Sequence, residues 1–285
     1  MVSAKIGGSD VLSYLGSLGN TIAKSKYRTG DICEIRLRAG RPIALETVRE
    51  RYLLDKPVSP QEINECIKSF CNYSIHSYEK EIKNGYITLK GGHRAGFCGT
   101  AVIKEGKLEG IKDISSINLR IAREITGCGE KLSEIVFSEG FRGLLIAGKP
   151  FSGKTTVLRD LCRIIGNRSK LAIIDSRGEI GAVYGGVPQN DVGNFTDILN
   201  GYGKADGMEI ATRTLSPEYI ACDEITGEEN SVRNCLNSGV KTVLTLHCGT
   251  SRQAEQSEIV KTGAISHIAF LGGRVGQVTE TKDLR

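Results

Sequence analysis

The chain has 285 residues, with 38 Lys plus Arg against 33 Asp plus Glu and a formal net charge of +5. A chain of this size builds a full hydrophobic core, as one large domain or two ordinary ones, without needing a disulfide or a structural metal. Its 39% hydrophobic and 25% charged residues exclude a disordered or fibrous chain, and the mild positive charge permits a nucleic acid or anionic surface as partner while demanding neither.

Met1 to Asp10 lacks the basic-then-apolar pattern of an export signal. No later stretch approaches the roughly 20 apolar residues needed to span a bilayer. The nine cysteines contain no Cys-x-x-Cys pair, and no histidine cluster completes a zinc site beside Cys66 and Cys71. Free thiols in a reducing cytoplasm are the expectation, with any membrane association made through a protein partner or a surface contact. Glu34 to Arg38 alternates as a strand does and turns at Ala39-Gly40-Arg41-Pro42 into Ile43-Ala44-Leu45. Ser59-Pro60-Gln61-Glu62 reads as a helix start, with a capping serine, a first-turn proline and a glutamate able to reach back to the cap. Ile63, Cys66, Ile67 and Phe70 follow at helical spacing. Tyr86 to Leu89 and Ala95 to Ile103 flank Gly91-Gly92 as a hairpin, Glu105-Gly106 makes another turn, and Asp113 to Glu124 reads as a connecting segment.

The second half changes register. Continuous apolar runs at Leu144–Ala147, Leu171–Ile174, Tyr219–Cys222 and Thr242–Leu246 alternate with helical stretches. That is the pattern of a largely parallel sheet covered on both faces. Thr226 to Glu229 and Thr250 to Gln253 both fit capping boxes, and Gly239 fits a helix C-terminus. A hairpin from Ile268–Leu271 to Val275–Thr279, turning at Gly272-Gly273, ends the sequence.

Between the first of these strands and the helix from about Thr156 to Ile165 lies Gly148-Lys149-Pro150-Phe151-Ser152-Gly153-Lys154-Thr155, the eight-residue phosphate-loop pattern. Its glycines let backbone amides converge on phosphate oxygens, and the helix N-terminus adds positive potential. Lys154 supplies charge to the β- and γ-phosphates, the Thr155 hydroxyl suits Mg2+, and Thr156 continues the binding segment. The strand Tyr219–Cys222 ends in Asp223 and Glu224. Asp223 is the candidate metal partner and Glu224 the candidate for polarising an attacking water. An adjacent Asp-Glu pair favours a hydrolase over a kinase, and no Asn-Lys-x-Asp motif points to guanine. Asp175, Glu179, Thr245 and His247 follow other strands, and in an open parallel sheet the carboxyl ends line one crevice. ATP and Mg2+ are therefore the expected ligands.

Longer segments carry a more specific likeness. They are Arg36-Leu37-Arg38-Ala39-Gly40-Arg41-Pro42, Gly91 to Thr100, Ser115 to Glu124, the phosphate loop through Arg159-Asp160, Tyr184 to Gly193, and Asp223-Glu224. In these the chain resembles the stage III sporulation AA family, relatives of the secretion and pilus-motor ATPases. The resemblance implies a homo-oligomeric ring, a hexamer, with an N-terminal domain over an ATPase core. It implies an acidic-box glutamate, matched by Glu179, a histidine box, matched by Thr245-Leu246-His247, and an Arg-x-x-x-Pro segment, matched by Arg213 to Pro217. It also implies arginines from the N-terminal region or linker, for which Arg120 and Arg123 are the candidates. An arginine offered across a subunit boundary stabilises charge on the transferred phosphoryl group. Two departures stand out: Phe151 intervenes where the family's phosphate loop has a second proline and a small residue, and Asp-Ser-Arg-Gly-Glu stands where the family pattern reads Asp-Glu-Arg-Ser-Glu.

The expected fold class is α/β: a RecA-like P-loop ATPase core over 131–285, preceded by a smaller α+β domain over 1–118 and a linker over 119–130. The expected activity is Mg2+-dependent ATP hydrolysis. From the resemblance, it energises a channel between mother cell and forespore, with membrane proteins of that complex as partners. A nucleic-acid-stimulated motor and a nucleotide-gated scaffold are the alternatives. With 6% aromatics and no Trp, the sequence gives no strong nucleic-acid signal, and Arg36, Arg38 and Arg41 are the best support for one.

Overall fold

A computed structural model describes residues 3–6, 10–27, 29–47, 49–273 and 275–285; much of Met1–Asp10, read above for an export signal, lies outside them. The chain divides into two units, one of residues 5–124 with 184–189, the other of residues 1–4, 125–183 and 190–285. A short strand β1 (Ser3–Ile6) pairs with β8 (Arg123–Thr126) in a separate two-stranded sheet.

The N-terminal unit is built on six strands: β2 (Ile32–Arg38), β3 (Pro42–Thr47), β4 (Arg51–Pro57), β5 (Tyr86–Thr88), β6 (Arg94–Lys104) and β7 (Lys107–Arg120). Their antiparallel order is β4-β3-β2-β7-β6-β5. Helices α1 (Gly16–Ala23), α2 (Pro60–Phe70) and α3 (Glu79–Lys83) complete it. Its core gathers Ile35, Leu37, Ile43, Leu45, Ile117 and Leu119 from the sheet with Leu18, Ile22, Ile63 and Phe70 from the helices. The start of α2 follows its sequence closely. The Ser59 hydroxyl accepts the Glu62 amide at 3.1 Å, and the Glu62 carboxylate accepts the Ser59 amide at 2.8 Å.

The segment from Asp113, read as a connection, is instead strand as far as Arg120. Its polar look hides a period of two: Ile117 and Leu119 are buried, while Ser116, Asn118 and Arg120 lie opposite Arg38, Arg36 and Glu34 of β2.

Among the described residues the main sheet of the second unit has seven strands, β9 (Gly143–Gly148), β10 (Leu171–Asp175), β11 (Thr196–Asn200), β12 (Tyr219–Cys222), β13 (Lys241–His247), β14 (His267–Leu271) and β15 (Val278–Asp283). Their order is β11-β10-β12-β13-β9-β14-β15, parallel except for the final hairpin. Helices α4 (Glu130–Val136), α5 (Lys154–Gly166), α6 (Lys204–Thr214), α7 (Glu229–Asn237), α8 (Ser251–Glu255) and α9 (Glu258–Lys261) accompany it. Two apolar clusters draw on alternate residues of the same strands: Leu144, Ile146, Ile173 and Val243 in one, Leu145, Ala172, Ile174 and Leu244 in the other. A sheet apolar on both faces explains why these strands read as unbroken hydrophobic runs.

The α7 start corrects one expectation. No capping box forms at Thr226, because Gly227 takes φ 123 and delays the helix to Glu229; the Thr226 amide instead donates to the Glu228 carboxylate at 2.7 Å. At the other end the Gly239 amide donates to the Leu236 carbonyl and the Val240 amide to the Cys235 carbonyl, a Schellman closure with Gly239 at φ 75.

Candidate nucleotide and metal site

Parallel register brings the candidate residues to one end of the second sheet. Gly148, which ends β9, lies beside His247 at the end of β13 on one side and Leu271 at the end of β14 on the other. In β12, Cys222 is opposite Leu244 of β13, so Asp223 leaves the strand next to Thr245. The phosphate loop then turns into α5, whose first residues are Lys154 and Thr155.

The loop is shaped by what its glycines exclude. A Cβ on Gly148 would meet the Ser152 hydroxyl at 2.8 Å, and one on Gly153, at φ 91, would meet the Gly276 amide nitrogen at 2.5 Å. That Gly276 amide donates to the Ser152 carbonyl at 2.7 Å, so the turn between β14 and β15 braces the loop. The Ser152 hydroxyl is buried without a hydrogen-bond partner, and Phe151 stands at the crest, 96% exposed with φ 63.

Lys154 is buried and folded onto its own loop. Its ammonium donates to the Gly148 and Lys149 carbonyls at 3.1 and 2.9 Å and lies 2.9 Å from His247 Nδ1. Burial lowers its pKa, and the nearby Asp223 carboxylate is the main opposing influence. His247 Nε2 lies 3.0 Å from Glu224 Oε1. Imidazole in its Nε2–H form serves both contacts, accepting from Lys154 and donating to Glu224. Arg177 pairs with the other Glu224 oxygen, and the Lys204 ammonium donates to the Glu224 carbonyl. Glu224 itself has φ 56, rare for a non-glycine residue and typical of strained functional positions.

The Thr155 hydroxyl donates to Asp223 Oδ2 at 2.6 Å. Two hard oxygens at the mouth of a phosphate loop fit Mg2+, which takes few protein ligands and completes its shell from phosphates and water. Among the described residues no cluster of three or more His, Cys, Asp or Glu could hold a metal alone.

Behind these groups, Asp175 accepts the amides of Glu179, Ile180 and Gly181 at 2.8, 3.1 and 2.8 Å. Burial raises its pKa against the pull of those three amides. Arg159 donates to the Glu179 carbonyl at 2.6 Å. Asp175 thus shapes the loop that carries Arg177 and Glu179.

The structure gathers Gly148 to Thr156, Asp223, Glu224 and His247 at one end of the second sheet, where β9, β12 and β13 finish. Arg213 is not among them. It sits in the last turn of α6, exposed and 3.5 Å from Glu209. The parallel crossover returns α6 to the amino end of β12, opposite the phosphate loop. Arg120 and Arg123 belong to the N-terminal unit, where Arg120 lies 3.6 Å from Glu34 and Arg123 donates to the Asp31 carbonyl at 3.0 Å. Arg177 and Lys204 are the contacts that sequence reasoning missed. Arg177 sits within the acidic box and was open to inspection there, whereas nothing in the spacing links Lys204 to a residue 20 positions later.

A model of the family described as sporulation stage III, protein AA, matches residues 10–272. The stage III sporulation protein AA of Bacillus subtilis is 34% identical over 225 residues, covering 76% of this chain and 73% of the Bacillus protein. The Arabidopsis thaliana protein SEEDLING PLASTID DEVELOPMENT 1 is 25% identical over 224 residues, which are 76% of this chain but 30% of that protein. Among solved structures, the pilus retraction motor PilT with bound ADP aligns with a TM-score of 0.62 at 15% identity, covering 90% of this chain and 77% of its own. The Legionella pneumophila ATPase DotB aligns at 0.55 and 16%, covering 84% and 72%. These two likenesses establish the fold: a P-loop core with a mostly parallel sheet, shared with the PilT and DotB structures.

Proposed function

The chain belongs to the sporulation stage III protein AA family, and we propose that it is an ATPase that hydrolyses ATP with Mg2+ and works as a ring-forming motor. One observation carries this reading: Thr155 and Asp223 meet at 2.6 Å beside a phosphate loop, with Glu224 on the next residue. A nucleotide-binding fold without hydrolysis needs the loop but not the second carboxylate.

In this reading the backbone of Gly148–Gly153 and the Lys154 ammonium receive the β- and γ-phosphates, Lys154 exchanging its contacts with the Gly148 and Lys149 carbonyls for phosphate oxygens. Thr155 and Asp223 hold Mg2+, which when bound neutralises charge on the phosphate oxygens. Glu224 orients a water in line with the γ-phosphorus. The water oxygen bonds to phosphorus, the bond to the β-phosphate bridging oxygen breaks, and ADP and inorganic phosphate leave, with the water proton passing toward the Glu224 carboxylate. His247 and Arg177 hold that carboxylate, and Glu179 lies on the neighbouring loop. Arg120, Arg123 and Arg213, remote from this cluster or in the other unit, are assigned to contacts made across subunits of a hexameric homo-oligomer. The family and the motor-like fold support a role in energising a channel between mother cell and forespore, with membrane proteins of that channel as partners. Within the described residues no helix is long and apolar enough to cross a membrane.

The test is ATP hydrolysis with Mg2+ as a function of protein concentration, for wild type and Glu224→Gln. We expect specific activity to climb with concentration and to fall at least about a hundredfold in the variant, on the order of losing a water-positioning group. Tight ATP binding with no turnover at any concentration would remove the autonomous ATPase reading.

A further inference from the structure

We infer that Thr245 is a positioning residue that fixes which oxygen of Asp223 faces the metal side of the nucleotide site. The inference rests on the Mg2+–nucleotide reading above and extends it to a residue that touches neither ligand.

Thr245 is a fully buried polar side chain in β13. A threonine hydroxyl has one proton and two lone pairs. Here the hydroxyl oxygen accepts the Glu224 amide at 2.7 Å. Its other close partner is Asp223 Oδ1. An ionised carboxylate only accepts, so the single hydroxyl proton points at Oδ1 and the rotor has no freedom left. The Thr245 carbonyl accepts the next amide, that of Ile225, at 2.9 Å. One residue of β13 therefore holds three consecutive residues of the loop after β12: Asp223 by its carboxylate, Glu224 and Ile225 by their amides.

The consequences are chemical. With Oδ1 occupied, Oδ2 is the oxygen turned to Thr155 at 2.6 Å and offered to a metal. With its amide held, Glu224 keeps its left-handed conformation at φ 56, which aims its carboxylate at His247 and Arg177. Removing the hydroxyl leaves both an amide and a carboxylate oxygen of two half-buried residues without this partner, and each seeks another by moving.

The experiment measures the affinity of a fluorescent ATP analogue with Mg2+ and with EDTA for wild type, Thr245→Val and Thr245→Ser, alongside kcat and KM for ATP. We expect valine to cut the Mg2+-dependent gain in affinity about tenfold, the loss typical of removing an outer hydrogen bond to a metal ligand, while the affinity in EDTA stays within about twofold of wild type. Serine, which keeps the hydroxyl, restores the gain to within about threefold. A folded valine variant with the full Mg2+ gain overturns the inference, as does a folded one whose affinity in EDTA falls in step, since the loss then belongs to the nucleotide site as a whole and not to the metal side. Should valine unfold the unit, the comparison of Thr245→Ser with Thr245→Ala gives the same readout. A wild type that gains affinity with Mg2+ but does not turn over removes the hydrolysis reading and leaves Thr245 its role. A wild type with no Mg2+ gain removes both.

Discussion

At the crest of the phosphate loop Phe151 occupies the left-handed region at φ 63 with 96% of its surface exposed. A bulky side chain there costs on the order of 1–3 kcal/mol, and exposure denies the ring any burial to offset it. Glu224, also left-handed at φ 56, is held there by the bond from its amide to Thr245; no packing of the Phe151 ring plays that part. We therefore expect Phe151→Gly to stabilise the protein by ~1 kcal/mol, after the larger backbone entropy of glycine is deducted. Urea unfolding followed by circular dichroism reports it. A midpoint that stays put or falls would mean that the aromatic ring makes a compensating interaction in solution.

At the scale of single elements, the final hairpin carries a titration. His267 of β14 is buried, stacked on Phe141 with ring centroids 5.9 Å apart, and its Nδ1 lies 3.0 Å from the Ser266 hydroxyl. Burial holds its pKa below the ordinary 6.5, outweighing the opposing pull of Asp283. The unfolded chain thus takes up this proton more readily than the folded one. Its contribution to stability is complete above pH 6.5 and is lost as the pH falls through the lower, folded value. Unfolding free energies measured between pH 7.5 and 5 should decline, and His267→Gln should show a shallower decline over the same range. Equal slopes would place the sensitivity elsewhere.

Elements also show where the sequence was readable. The α2 cap, the Gly239 closure, the parallel strands and the phosphate loop all have local causes, namely a capping pair, a left-handed glycine, unbroken apolar runs and a glycine spacing. The site's first residues were legible for the same reason. The strand through Ile117 and Leu119 was not, because its outward residues are polar and its pairing with β2 is set some 80 positions away, as in Leu37 opposite Ile117. Lys204 escaped for that reason too: only the sheet order sets the first turn of α6 against the Glu224 backbone.

Over the whole molecule, the chain does not cross between its units once. It leaves the second unit after residue 183, contributes residues 184–189 to the N-terminal unit, and returns at residue 190. The excursion is a tight turn: Tyr184 and Val187 exchange backbone hydrogen bonds at 2.9 and 3.0 Å around Gly185 and Gly186, both with positive φ. Two such central residues suit glycine and little else. A four-residue turn has no stability of its own, so its order depends on what fastens it. Asn72 donates to the Tyr184 hydroxyl at 2.6 Å, and the Gly91 amide donates to the Gln189 side-chain carbonyl at 2.7 Å. Each bond contributes ~1 kcal/mol net, so removing both lowers the free energy of local opening by ~2 kcal/mol, about thirtyfold in the open population. In an Asn72→Ala, Gln189→Ala double variant the Tyr184 and Val187 amides should exchange hydrogen about thirtyfold faster than in wild type, while amides of the β9 and β13 core keep their protection. If the two amides exchange at the wild-type rate, the turn is held by something other than these two side chains. If the core amides also speed up, the excursion stabilises the whole fold and is more than a local fastening.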